Sequence, residues 1–162
     1  MKKAICLIFT IISLAGLCGC TKGSAPNVKI NLNLDGTAVC DGLQFKLQSE
    51  KGEEGCKIYT KYKDMPRTTY EFYSDKILVS FCSLKYIADT KMHGRTPIPV
   101  IINKLLCLLK APDKLTWKKG DDGKYRFSAS VQNTKISGEI EKTGQIDKIE
   151  IPSIDFKYNI DT

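Results

Sequence analysis

The chain has 162 residues, a formal net charge of +7, 42% hydrophobic and 27% charged residues, a balance that suits one globular domain and excludes a disordered or low-complexity protein. The basic excess rests on lysine, with arginine only at positions 67, 95 and 126. The lysines are dispersed among apolar residues, which argues against a nucleic-acid or phosphate site built on guanidinium forks and clustered charge.

Lys2 and Lys3 precede an apolar run, Ala4 to Leu17, broken only by Thr10, Ser13 and Gly16. A basic start, a short apolar stretch and small residues at its end make a secretory signal peptide. The run falls short of the roughly 20 residues that a membrane span needs. Its end, Leu17-Cys18-Gly19-Cys20, resembles the bacterial lipobox, with Cys18 standing where that motif usually has Ala, Ser or Thr. The resemblance implies diacylglycerol transfer to the Cys20 thiol and cleavage between Gly19 and Cys20. It also implies anchoring by acyl chains such as palmitate on the extracytoplasmic face of the cell membrane. Residues 1–19 are then the signal peptide, 20–27 a small, polar and flexible tether, and 28–162 a single domain. Removing residues 1–19 takes away two lysines and no acid, so the charge falls from +7 to +5.

Four cysteines remain besides Cys20: Cys40, Cys56, Cys82 and Cys107. An even number in an exported domain predicts two disulfides, and Cys40–Cys56 with Cys82–Cys107 would join neighbouring segments; free thiols are the alternative. The mature chain has no C-x-x-C and no His/Cys zinc spacing, so no metal and no cofactor is expected.

From Val28 the hydrophobic period is two. Val28, Ile30, Leu32 and Leu34 alternate with polar residues, and Asp35-Gly36 reads as a turn. Leu43, Phe45 and Leu47 repeat the alternation up to a charged loop, Ser49 to Gly55. Cys56 to Tyr62, Thr68 to Tyr73 and the strongly β-prone Lys76 to Ile87 follow. The period then changes. Thr96 as cap and Pro97 in the first turn start a helix of about 97–110, with Ile98, Ile101, Ile102, Leu105, Leu106, Leu108 and Leu109 at helical spacing and Ala111-Pro112 ending it. Only Asn103, Lys104 and Lys110 are polar within it, so this helix must be buried. Strands return as a meander from Leu115 to Ile160, punctuated by Gly120 to Gly123, Gly144 and Pro152. Strands, one buried helix and strands again predict an α+β domain: a curved, half-barrel-like antiparallel sheet with the helix on its apolar face.

The helix Thr96 to Lys110 between two strand groups, with Gly138-Glu139-Ile140 leading through Gly144 to Ile151, resembles the lipoprotein-carrier (LolA/LolB-like) superfamily and exported lipoproteins that share its half-barrel fold. The resemblance rests mainly on the last 70 or so residues, and the first half matches only by pattern. It implies a hydrophobic ligand, an acyl chain or lipoprotein, held between sheet and helix. None of that family's ligand contacts matches a residue here one by one.

Catalytic chemistry finds little support. The one histidine, His93, sits in a polar loop with Asp89 as a conceivable orienting carboxylate but no nucleophile in a recognisable setting. Asp121-Asp122-Gly123 and Asp35-Gly36 lack the ligand spacing of a calcium loop. The aromatics Tyr70, Phe72, Tyr73, Phe81 and Tyr86 suit core and cross-strand packing. The sequence therefore predicts a non-catalytic protein, not an enzyme. Two functions follow. One is a carrier whose ligand wall is Ile98, Ile102, Leu105 and Leu109 with Trp117 and Phe127. The other is a cell-envelope scaffold docking a partner protein through an edge strand or loop. The expected partners are the membrane, through the lipid, and a lipid or envelope protein, with no nucleic acid.

Overall fold

The computed structural model describes residues 23–52, 55–89 and 96–161. Eleven strands make one antiparallel sheet: β1 Asp35–Cys40, β2 Leu43–Lys51, β3 Cys56–Lys61, β4 Thr68–Phe72, β5 Lys76–Phe81, β6 Leu84–Asp89, β7 Thr116–Lys119, β8 Tyr125–Val131, β9 Thr134–Ile140, β10 Ile146–Ile151 and β11 Phe156–Ile160. The helix, α1 (Ile98–Leu109), lies between β6 and β7 in the chain. In space the order is β6-β5-β4-β3-β2-β1-β11-β10-β9-β8-β7, so the two halves of the chain meet where β1 pairs with β11. The sheet stays open and curves around α1, which packs on β3 from one wall and β8 from the other. This is the α+β half-barrel that the pattern predicts.

Alternation does the sorting. Ala38, Leu47, Ile58, Ile77, Phe127, Ile136, Ile149 and Phe156 point inward and are buried, each large side chain contributing about 1.5–3 kcal/mol. Charged residues on the outward face and in its turns pair, as in Lys124 with Glu141 and Asp147, both at 2.7 Å, and Arg126 with Asp122 at 2.6 Å and Glu139 at 3.0 Å. The dispersed basic residues are therefore a solvated face, and exposed pairs of this kind contribute little individually.

Two local expectations fail for physical reasons. Asp35-Gly36 opens β1 rather than turning the chain: Gly36 is needed because a Cβ there would collide with the Asn159 carbonyl and the Tyr158 ring. The turn falls instead at Asp41-Gly42, where both residues are left-handed, at φ 48° and 77°, as a tight hairpin between right-twisted strands requires. Val28 to Leu34 is consequently an extended crossover with a single bridge at Asn31 to Gln145. Ser49 holds it, accepting from the Leu34 amide and donating to the Leu32 carbonyl, both at 2.9 Å. Ser49 also belongs to β2, which runs to Lys51, so the expected loop starts later. Lys76 to Ile87 is two strands, β5 and β6, parted at Cys82-Ser83.

The segment 23–27, expected as tether, is laid on the domain. The Gly23 amide donates to the Trp117 carbonyl at 2.9 Å, and Pro26 is buried. The signal peptide, Gly19, Cys20, His93 and the rest of loop 90–95 lie outside the described residues.

Helix α1 starts at Ile98 with Pro97 at its cap, and the Thr96 hydroxyl donates to Gln132 Oε1 at 3.1 Å instead of capping. The capping role therefore falls to the Pro97 carbonyl, which accepts from Val100 and Ile101. Pro99, Val100, Ile101, Ile102, Leu105, Leu106 and Leu109 are buried, as an all-round apolar helix demands.

None of the four cysteines is bridged, which corrects the disulfide pairing. Cys40 pairs with Leu43 and Cys56 with Lys51, at opposite ends of a nine-residue strand. That strand spans roughly 27 Å, whereas a disulfide needs Cα atoms within about 7 Å. Cys82 is exposed at the β5–β6 turn, while Cys107 is exposed on α1 beside Ser130 and Val131 of β8, the far wall. Cys56 is buried at the start of β3, and burial pushes its thiol up despite the nearby Lys110. A thiolate-directed reagent on the native chain is thus expected to modify Cys82 and Cys107 rapidly and Cys56 only on unfolding; mass spectrometry of quenched samples checks the order.

Tyr158 is fully buried, and its hydroxyl oxygen accepts from the Asp35 amide at 3.1 Å. Burial raises its pKa from 10.0 to about 12. The unfolded tyrosine ionises first, so stability is intact below pH 10 and falls as pH rises from 10 towards 12. Tyr158→Phe is expected to cost about 1 kcal/mol at neutral pH and to flatten the alkaline fall, as read by urea unfolding at pH 8 and pH 11.

Candidate functional site: an apolar groove at the helix N-terminus

The interior divides unequally. Around the last two turns of α1 it is filled. Ile102 and Leu105 are fully buried, and Leu109, Trp117 and Phe127 each expose 2%. The Trp117 and Phe127 rings meet edge-on with centroids 5.7 Å apart, and Trp117 Nε1 donates to the Pro112 carbonyl at 2.7 Å. The expected ligand wall is therefore packed core at five of its six positions. A helix that is apolar around most of its circumference fills the trough it lies in.

The sixth position, Ile98, does face open space. The first turn of α1 stops short of the β2–β5 wall, leaving a groove of about 450 Å³ between Ile98 and Pro99 on one side and the concave sheet on the other. Leu43 and Phe45 of β2, Thr60 of β3, Thr68 and Tyr70 of β4 and Phe81 of β5 form its floor, and Tyr62, Met65 and Pro66 of the β3–β4 loop close one end. The Asp41-Gly42 hairpin shapes the other end by bringing Cys40 and Asp41 to the rim. Leu43 is 58% and Met65 50% exposed, so the rim adds apolar surface contiguous with the groove. A smaller hollow of about 280 Å³ continues past Cys40, Asp41 and Ile98 to Thr96 and Ile154.

Polar groups in the groove are few. The Cys40 thiol donates to the Ile154 carbonyl at 3.3 Å. Burial pushes the Tyr70 hydroxyl above its ordinary value, with Thr60 beside it acting the other way. Size, apolar lining and a small number of hydroxyls are what a site for a hydrophobic ligand needs. A wider hollow of about 740 Å³ lies over Thr37, Gln44, Lys46, Gln48, Lys61 and Lys63 and shares Leu43, Phe45 and Tyr62 with the groove; its glutamine and lysine side chains make it a less suitable seat for an apolar tail. Among the described residues, no three His, Cys, Asp or Glu side chains gather as metal ligands, and no helix is long and apolar enough to cross a membrane.

Sequence reasoning thus finds the helix and Ile98 but misses Phe45, Tyr62, Met65 and the open side of Tyr70 and Phe81. A usable signal exists: Leu43 directly after an Asp-Gly turn, and Met65-Pro66 inside a charged loop, are apolar residues where hairpin ends are normally polar. Comparison with known proteins adds no second line of support: no protein-family model matches the chain, and no curated protein or solved structure matches it either.

Proposed function

We propose that the chain is an exported, membrane-anchored lipoprotein, processed before Cys20, that is non-catalytic and binds or carries a hydrophobic ligand such as an acyl chain. The observation that carries the binding reading is the open apolar groove beside an otherwise filled core. The anchoring reading rests on Leu17-Cys18-Gly19-Cys20, and the carrier resemblance supports both. The ligand's tail lies along Phe45, Tyr70 and Phe81 under the first turn of α1, and its polar end meets water at the rim by Asp41. Binding draws on apolar contact, at about 25 cal/mol per Å² removed from water.

Two measurements test this reading. Metabolic labelling with an alkyne palmitate is expected to mark the wild-type chain and to lose the mark in Cys20→Ser. A Cys20→Ser chain that is cleaved yet stays membrane-bound contradicts the anchor. Titration with a fluorescent fatty acid is expected to show one saturable site, and the absence of uptake contradicts the ligand reading. The second function, an envelope scaffold docking a protein by an edge strand, has one observation in its favour, the open edge at β6.

A further inference from the structure

The two edges of the sheet are treated differently. At β7 the edge is met by the chain itself, through the Gly23 amide on the Trp117 carbonyl. At β6 no other strand pairs with the edge among the described residues, and large apolar side chains stand on both of its faces: Leu84 is 69%, Tyr86 58% and Ile87 68% exposed. An edge with unpaired backbone and apolar flanks is a template for another strand unless charge or curvature blunts it.

The sequence of β6 suits one occupant in particular. Phe81 and Leu84 face each other across the two-residue Cys82-Ser83 turn, which makes them a hydrogen-bonded pair and turns the backbone groups of Lys85, Ile87 and Asp89 to the open side. We propose that β6 pairs antiparallel with β6 of a second copy about a two-fold axis through Ile87, so that two half-barrels share one sheet. In this register Ile87 meets Ile87, Tyr86 lies opposite Ala88, and Lys85 of each copy lies opposite Asp89 of the other. Opposite charges fall at two symmetry-related places, with an apolar contact between them. Shifting the axis to Tyr86 would set Lys85 against Ile87 and lose both charge pairs. The interface is isologous, as in most closed dimers.

The pairing also gives the exposed Leu84 and Tyr86, which continue the inner face, an apolar neighbour. Leu84, Tyr86 and Ala88 stand opposite Phe81, Val79 and Ile77, of which Val79 and Ile77 are core and Phe81 lines the groove. Joined at β6, the two inner faces become one apolar floor running between two grooves. This inference goes beyond the ligand reading and stands without it.

Sedimentation of the full mature chain in density-matched detergent, across a concentration series, tests it. The wild type is expected to be a concentration-dependent dimer. Lys85→Asp and Asp89→Lys, each leaving like charges opposed, are expected to weaken dimerisation about tenfold. The double variant carrying both changes restores opposite charges and is expected to return to within about threefold of wild type. A chain that stays monomeric at every concentration overturns the proposal and leaves the edge to a strand of some other protein. So does a dimer indifferent to Lys85→Asp, or a double variant as weak as the single ones. The restored pairing in the double variant separates a lost interface from a misfolded edge.

Discussion

Thr60→Trp is expected to lower the affinity for a fluorescent fatty acid at least tenfold while leaving the domain folded. Thr60 lies on the groove floor, between Leu47 of β2 and Thr68 of β4 in the sheet register. An indole grown from this position enters open space rather than packed core, so the overpacking cost of about 1–3 kcal/mol seen in filled interiors is mostly avoided. Removing about 60 Å² of apolar contact from the ligand costs about 1.5 kcal/mol at roughly 25 cal/mol per Å², which is tenfold in affinity. Unchanged binding in a folded Thr60→Trp chain would move the ligand elsewhere. Urea unfolding of the same sample checks that the fold is intact.

Leu105→Ala is expected to do the reverse. Leu105 is fully buried in the middle of α1 and does not reach the groove. Truncation leaves a cavity among packed side chains and costs about 2–5 kcal/mol, a large share of the 5–15 kcal/mol typical of a domain. Ligand affinity of the folded fraction stays within about twofold of wild type. Were the ligand held along the whole helix, as the sequence pattern suggests, the same change would enlarge the site and alter binding strongly. Leu105→Ala thus discriminates between the two placements of the site.

That difference marks what the sequence can and cannot reveal. The helix from Ile98, the strands on either side of it and the half-barrel they form are legible because each follows from a hydrophobic period. The period says that Ile102, Leu105 and Leu109 are buried, but not whether side chains or ligand bury them. That depends on how far the helix extends along the trough, which the β2–β5 wall and Pro97 decide together. Asp35-Gly36 looks like a turn because local chemistry permits one, and the Tyr158 ring, more than a hundred residues away, decides otherwise. The Asp41-Gly42 turn carries the same local signal and is real, with nothing crowding Gly42. The cysteine pairing fails because segments that are neighbours in the chain do not bring their thiols together. β2 separates Cys40 from Cys56 by its full length. Even parity in an exported chain is a compositional argument, and strand length overrides it.

The open edge at β6 was equally hidden. Lys76 to Ile87 reads as one β-prone stretch, and only the hairpin at Cys82, a residue held at φ 53°, shows that Leu84, Tyr86 and Ile87 belong to a separate outermost strand.

An acyl chain held in the groove under the first turn of α1 would remain with the protein through gentle release from the membrane. Native mass spectrometry of the full mature chain, released from its own membrane in mild detergent, tests this most directly. The expected result is a non-covalent lipid at one per chain, distinct from any lipid attached at Cys20, that is lost in Thr60→Trp and kept in Leu105→Ala. A chain that carries no such lipid and takes up none when it is offered, or one whose bound lipid is indifferent to Thr60→Trp, would contradict it.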